Sequence, residues 1–317
     1  MSAAIIQRSF GGPEVLEFAT VETPTAAELR AGEVLVRVAF AGVNPVDIKT
    51  RAGGAVAGLF SGFPLTIGWD LSGTVIGVAA DVTSLTVGER VFGMSRFPRP
   101  GLAYAEFVIA DAKDLVVTPA GVSDEHAAAL PLAGLTAWEC LVDVGGLQHG
   151  QHVLIQGAGG GTGHLAVQIA RSIGAHVTAS AGPSKQAWLR ELGAERTLDY
   201  TVADIATMFP ERPFDLVFNT SNATTRAGIH TTRPGSVAID ISETVTANDR
   251  ALADSLDVRV EVPAVSLNRQ ALEAIAGLAV AGYLAPHISR VYPLADAAEA
   301  HRQIEDGHTQ GKVLLRP

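Results

Sequence analysis

Cysteine is nearly absent: Cys140 stands alone among 317 residues. No intramolecular disulfide can form, a four-cysteine zinc site is excluded by arithmetic, and a reducing compartment, the cytoplasm, is the expectation. Basic clusters are also missing. Asp and Glu total 33 against 23 Lys and Arg, so a nucleic-acid backbone would have to bind against an acidic field, and no such partner is expected. Long apolar runs are missing as well. The longest uncharged stretch, 52–69, is interrupted by glycines and Pro64 and cannot make the continuous helix that a bilayer requires. Residues 1–10 carry Arg8 and lead into Gly11-Gly12-Pro13, with no apolar run toward a cleavage site. Neither a leader nor a membrane span is expected.

What is present is apolar residue in quantity, 47% of the chain, enough for two domains with cores of their own. Up to about residue 120 the chain reads as short β-rich runs, such as 34–40, 73–78 and 105–109, separated by Gly32-Glu33 and Gly88-Glu89. An Ala-rich helical stretch at 124–130 then leads through Pro131 and Gly134 into a second helical run at 137–144. From 153 strands and helices alternate: strands at 153–156, 176–179, 197–199, 216–219 and 236–239, with helices at 164–173 and 184–192. That alternation indicates an α/β domain with a parallel sheet. The last stretch, 288–317, returns to short strands around a helix at 295–305.

Between the strand at 153–156 and its helix lies Gly157-Ala158-Gly159-Gly160-Gly161-Thr162-Gly163. Gly157, Gly160 and Gly163 stand three apart where the chain must turn, let a pyrophosphate approach the backbone, and let the helix pack closely on the sheet. The helix N-terminus adds unpaired N–H groups and partial positive charge. The end of the next strand selects between nicotinamide cofactors. An NAD enzyme carries Asp or Glu there to hold the adenine ribose, whereas here the chain reads Thr178-Ala179-Ser180-Ala181-Gly182-Pro183-Ser184-Lys185. A carboxylate about 5 Å from a 2′-phosphate would repel it by several kcal/mol at an effective dielectric near 20. Its absence permits NADPH, with Ser180 as a hydrogen-bond donor and Lys185 as a cation. Lys185 has a second reading, as a solvated helix residue.

Several motifs now line up in order across nearly the whole chain. Asn44-Pro45-Val46-Asp47-Ile48-Lys49-Thr50-Arg51-Ala52-Gly53 is followed by Gly68-Trp69-Asp70-Leu71-Ser72-Gly73, Gly88-Glu89-Arg90-Val91-Phe92-Gly93 and Tyr104-Ala105-Glu106-Phe107-Val108. Then come Leu135-Thr136-Ala137-Trp138, the glycine loop, Glu191-Leu192-Gly193-Ala194, Asp199-Tyr200, and the ending Ala300-His301 to Gly311-Lys312-Val313. Together they resemble the zinc-independent quinone oxidoreductase, zeta-crystallin-like branch of the medium-chain dehydrogenase/reductase superfamily. The resemblance implies a GroES-like β-barrel catalytic domain over 1–123, completed by 287–317, and a Rossmann NADPH-binding domain with a doubly wound parallel sheet over 124–286, the active-site cleft lying at their junction.

Carried over residue by residue, the resemblance places Ser180, Lys185 and Tyr200 around the 2′-phosphate. It places Asn44 and Thr136 at the nicotinamide as the catalytic pair, and Gly311 and Lys312 close to the cofactor. With the glycine loop (Gly157, Gly159, Gly160, Gly161, Thr162, Gly163), Asn219 completes the expected cofactor set. Asp47 and Lys49 fall at the expected substrate pocket. Other readings stand beside these: Thr136 as a helix cap, Tyr200 as a buried strand-end aromatic, and Asp47 paired with Arg51 four residues on, holding the loop without touching substrate. In relatives with tyrosines in the cleft the matching positions are Lys49 and Ala55.

The zinc-dependent relatives use Cys, His and Cys as catalytic ligands, where this chain has Asn44, Trp69 and Leu132, and no metal is expected. Without a Lewis acid, simple alcohols are poor substrates. A conjugated acceptor is easier to reduce, because its carbonyl delocalises the charge that hydride delivers. The expected function is NADPH-dependent hydride transfer to a quinone or α,β-unsaturated carbonyl. The alternative is a crystallin-like or redox-sensing NADPH-binding protein with little turnover. A homodimer is expected through a β-rich edge at 256–262.

Overall fold

The computed structural model describes residues 1–202, 204–221, 225–242 and 245–317. In chain order these hold β1 (Ser2–Ile6), β2 (Glu17–Val21), β3 (Glu33–Val43), α1 (Pro45–Arg51), β4 (Asp70–Val78), β5 (Arg90–Met94), β6 (Phe107–Asp111), β7 (Leu115–Val117), α2 (Asp124–Ala129) and α3 (Pro131–Trp138). Next are β8 (His152–Gln156), α4 (Gly161–Ile173), β9 (His176–Ala181), α5 (Gln186–Leu192), β10 (Arg196–Asp199), α6 (Ile205–Met208), β11 (Phe214–Asn219), α7 (Thr225–Thr231), β12 (Thr232–Asp240), α8 (Ala247–Ser255) and β13 (Arg259–Glu261). The chain closes with α9 (Arg269–Val280), β14 (Ile288–Pro293), α10 (Ala297–Glu305) and β15 (Lys312–Arg316). Two compact units result: 1–135 with 266–281 and 285–317, and 136–265 with 282–284.

The first unit is built on β3, whose Val-rich sequence pairs antiparallel with β4, β6 and β15. The sheet runs β14-β15-β3-β4-β5-β7, so the last strand of the chain lies beside one of the first. Its core gathers Val34, Val36, Leu71, Val75, Val91, Tyr104, Leu115, Val313 and Leu315. Helix α1 is begun by Asn44 in extended backbone, by Pro45 at the first helical position, and by Asp47, whose carboxylate accepts the Asn44 N–H at 2.7 Å. Helix α2 packs on β3 and β4 and so lies in this unit, and the second unit opens only at Thr136.

The second unit is a six-stranded parallel sheet ordered β10-β9-β8-β11-β12-β13. This is the doubly wound order expected of the α/β domain, and the strand order reverses between β8 and β11, where such sheets bind ligands at their carboxyl ends. β8 is buried from Val153 to Gln156, as a central parallel strand must be. Helix α4 stops at Gly174, left-handed at φ 85°. The helical run expected at 137–144 starts earlier: Pro131, which lacks an N–H, opens α3, and 139–143 form a single π turn after it. No helix among the described residues is long and apolar enough to cross a membrane.

Candidate active site

In the second unit β8 delivers the glycine loop. Gly157 turns the chain at φ 71°, and a Cβ there would lie 2.4 Å from Thr220 Oγ1. At Gly163 a Cβ would meet the Gly157 carbonyl at 2.4 Å and the Ala158 Cα at 2.6 Å, so glycine alone lets α4 approach the strand. Gly160 caps α4 in extended backbone, and the first helical turn is Gly161, Thr162 and Gly163. The N–H groups of that turn lie beyond the reach of intrahelical bonding and face outward along the helix axis, which makes the turn an anion cradle.

Lys185 belongs to this cradle. It sits in a tight turn before α5, half-buried, with its Cδ 2.3 Å from where a Gly159 Cβ would stand and its Nζ 3.5 Å from the Gly159 carbonyl. That geometry, with burial lowering its pKa, differs from a solvated helix residue. Ser180 is 1% exposed on β9, level with Gln156 of β8, and its carbonyl accepts the Ala158 N–H at 3.0 Å. Tyr200 is 56% exposed, not the buried aromatic of the second reading, and its hydroxyl lies 3.7 Å from where a Gly182 Cβ would be. Asn219 ties two strand ends together: its Nδ2 donates to Asp240 at 2.6 Å, while Ser242 holds the other oxygen of that carboxylate by its N–H and hydroxyl. Thr136 is buried inside α3, so it is not a helix cap.

In the first unit Asn44 is 1% exposed and held on three sides. Its N–H goes to Asp47, its Nδ2 donates to Asp70 Oδ2 at 2.9 Å, and its Oδ1 accepts from Lys312 Nζ. Lys312, expected at the cofactor, is 3% exposed and turned inward, donating also to the Val43 carbonyl and to Asp70, 3.5 Å away. The reason is the start of β15: Gly311 turns at φ 69° against the His287 carbonyl, leaving Lys312 beside β3. Asp70 Oδ1 accepts the Leu132 N–H at 2.8 Å.

Asp47 and Arg51 do not hold each other. Arg51 donates to His301 Nδ1 at 3.2 Å, to Glu305 at 2.5 Å and to the Gly11 carbonyl. An arginine can only donate, so Nδ1 is the acceptor and the imidazole proton is assigned to Nε2, which gives it to the Tyr104 oxygen at 3.1 Å. Tyr104 then donates to Asp47 Oδ2 at 2.9 Å. Asp47 is fully buried, with its Oδ2 taken up by the Asn44 N–H and the Tyr104 hydroxyl, while Lys49 is exposed on α1. Asp47 Oδ1 has no partner among the described residues. Asp70, Tyr104 and His301 were visible as landmarks, but no local pattern gave them partners, which lie as far as 250 residues away.

Residues 30–120 match the Alcohol dehydrogenase GroES-like domain, and residues 192–315 match the Zinc-binding dehydrogenase family. A chloroplast envelope quinone oxidoreductase homolog of Arabidopsis thaliana is 31% identical, over 97% of this chain and 95% of that one. The quinone oxidoreductase from Coxiella burnetii superposes with a TM-score of 0.92 at 31% identity, covering 100% of this chain and 99% of that one. Escherichia coli quinone oxidoreductase complexed with NADPH superposes at 0.88 and 25% identity, covering 99% and 100%. The zinc implied by the second family's description finds no donor set at the matching positions. Asn44 is spent on Asp70 and Lys312, Trp69 offers only an indole N–H given to the Arg99 carbonyl, and Leu132 is aliphatic.

Burial pushes the Asp47 carboxyl up to about 7, and burial together with the Arg51 charge pushes His301 down to about 3. Folded Asp47 therefore keeps a proton that the unfolded chain loses above about 4, so its contribution to stability falls as pH rises toward 7. Folded His301 lacks a proton that the unfolded chain holds below about 6.5, so its contribution rises with pH. Between about pH 4 and 6.5 the two slopes oppose each other. In Asp47→Asn only the histidine slope remains, and unfolding free energy should climb from pH 4.5 to 6.5 more steeply than in the native protein, by up to about 1.4 kcal/mol per pH unit. Denaturant titrations across that range check it, and parallel slopes would refute the linkage.

Proposed function

The chain belongs to the quinone oxidoreductase branch of the medium-chain dehydrogenase/reductase superfamily, and on that premise we propose that it is a zinc-independent, NADPH-dependent reductase of quinones or α,β-unsaturated carbonyls. The observation that carries this reading is the Lys185 ammonium lying on the glycine loop, on a β9–α5 connection without a carboxylate. The first turn of α4 would hold the pyrophosphate, and Lys185, Ser180 and Tyr200 the 2′-phosphate. Bound NADPH supplies the hydride.

The chain's own residues hold the acceptor and stabilise the charge it gains. In this reading Thr136 and Asn44 serve the nicotinamide end, and the Asn44 amide donates a hydrogen bond to the acceptor oxygen as negative charge develops there. Hydride arrives at the β-carbon of an enone or on a quinone, and the resulting anion takes its proton from solvent. Water suffices as the proton source, because none of the side chains placed at the acceptor needs to titrate. Asp47 stands behind Asn44 and shapes the backbone rather than the reaction.

A cytoplasmic homodimer is part of the same reading. β13 is the edge of the parallel sheet, and an unpaired edge of this kind can pair with its copy. Sedimentation at micromolar concentration should give a dimer, and a monomer throughout would remove that part of the reading.

Lys185→Ala should weaken NADPH about tenfold, roughly 1.4 kcal/mol, and NADH much less. Ser180→Asp should do more in the same direction, since it puts a like charge beside the phosphate. Fluorescence titration with both cofactors decides this, and equal losses would contradict the pocket. For the reaction, NADPH consumption should appear with quinones or enones, persist in chelator, and be absent with simple aldehydes. Turnover confined to aldehydes would overturn the proposal.

A further inference from the structure

Lys312 and Asp70 surround one amide and leave it a single unspent donor. An ammonium can only donate, so it must face the Asn44 oxygen, and Asp70, whose oxygens accept from the Leu132 N–H, the Asn44 amide and Lys312, must face the nitrogen. The three donors of Lys312 are all placed, on Val43, Asn44 and Asp70. Turning the amide over would set its NH2 against the ammonium and its oxygen against the carboxylate. Its orientation is therefore locked by charge, and the second Nδ2–H is the one donor of this side chain with no protein partner among the described residues.

We infer that Lys312 and Asp70 are positioning residues that turn the Asn44 carboxamide into a one-way, polarised hydrogen-bond donor for an acceptor oxygen gaining negative charge. The inference rests on the reduction proposed above. Donation from an ammonium into the amide oxygen draws electron density from the amide nitrogen, and in a buried setting this strengthens the remaining N–H as a donor. The ligand class that fits is a carbonyl or quinone oxygen, and a group that must donate at this point is disfavoured. Lys312 thus acts on the acceptor through Asn44 and stays away from the cofactor phosphates.

The test compares native protein with Lys312→Met and with the double variant Asp70→Asn/Lys312→Met, which removes both buried charges together and so avoids stranding either one. Three quantities are read: NADPH affinity by fluorescence, kcat and KM for a quinone that the native protein reduces, and the proton shifts of the Asn44 side-chain amide, identified by their loss in Asn44→Asp. The double variant should bind NADPH as the native protein does and lose at least tenfold in kcat with KM changed less than threefold. The native Asn44 amide protons should lie downfield of those of Asn248, an exposed asparagine, and move upfield in the variants. Native kcat and native shifts in the double variant would reduce the pair to a structural tie and overturn the inference. So would a loss of NADPH affinity in Lys312→Met with kcat intact. If the native protein reduces no quinone or enone, the proposed reaction fails, and the amide shifts alone still decide the orientation, with a native shift lying level with Asn248 overturning it.

Discussion

An ammonium buried to 3% exposure is the constraint around which the first unit is arranged. Taking such a charge out of water costs several kcal/mol unless acceptors replace its hydration. Lys312 finds three, on two separate strands and the cap of a helix. Meeting them requires β15 to lie against β3, so the end of the chain must return to its beginning. It requires Gly311 to adopt a positive φ, and it requires space at Gly42, where a Cβ would fall 2.9 Å from Asp70 Oδ2 and 2.7 Å from the Ala128 carbonyl. The pair is not what makes the unit stable, since apolar residues of like volume often do as well. Its consequence is specificity of arrangement: one register, one helix cap and one amide orientation.

A second chain of hydrogen bonds runs in one direction, from Arg51 through His301 and Tyr104 to Asp47. Each member donates to the next, so the guanidinium charge is passed as polarity to a carboxyl that has no cation of its own. Both ends of the chain lie on α1, and the middle comes from β6's approach and from α10. The short helix is thereby fixed on its buried face, and through Asp47 and the Asn44 N–H so is the residue that starts it. The two networks meet at Asn44: one governs its backbone, the other its side chain.

What was legible in the sequence was local or periodic. The glycine loop could be read because strand, turn and helix follow one another, and the parallel α/β sheet because strands and helices alternate along 153–239. Lys185 is expected at the 2′-phosphate from its place after the second strand and from the resemblance, and its stem lies across Gly159 of the glycine loop. What was not legible depends on partners distant in sequence. Lys312 follows a glycine in a familiar ending, and nothing near it indicates that its amine reaches Asn44, 268 residues away. Asp47 and Arg51 have the spacing of a helical ion pair. The expected contact is replaced by a longer one, because the buried face they share admits the rings of Tyr104 and His301, and the two side chains end at opposite ends of that insertion.

The same charges bear on metals. Relatives with zinc gather thiolates and an imidazole around a dication, and the corresponding positions here carry an amide, an indole and an aliphatic side chain. The substitution goes beyond loss of ligands, because a permanent cation has been placed within hydrogen-bond reach of the first of those positions. A dication about 5 Å from an ammonium is repelled by several kcal/mol at an effective dielectric near 20. Asp70 is the carboxylate held against the Asn44 side chain, and Lys312 already balances it. Thiolates and an imidazole placed at these positions by mutation would still face the Lys312 ammonium beside the first of them, a charge that a zinc site there would have to accommodate.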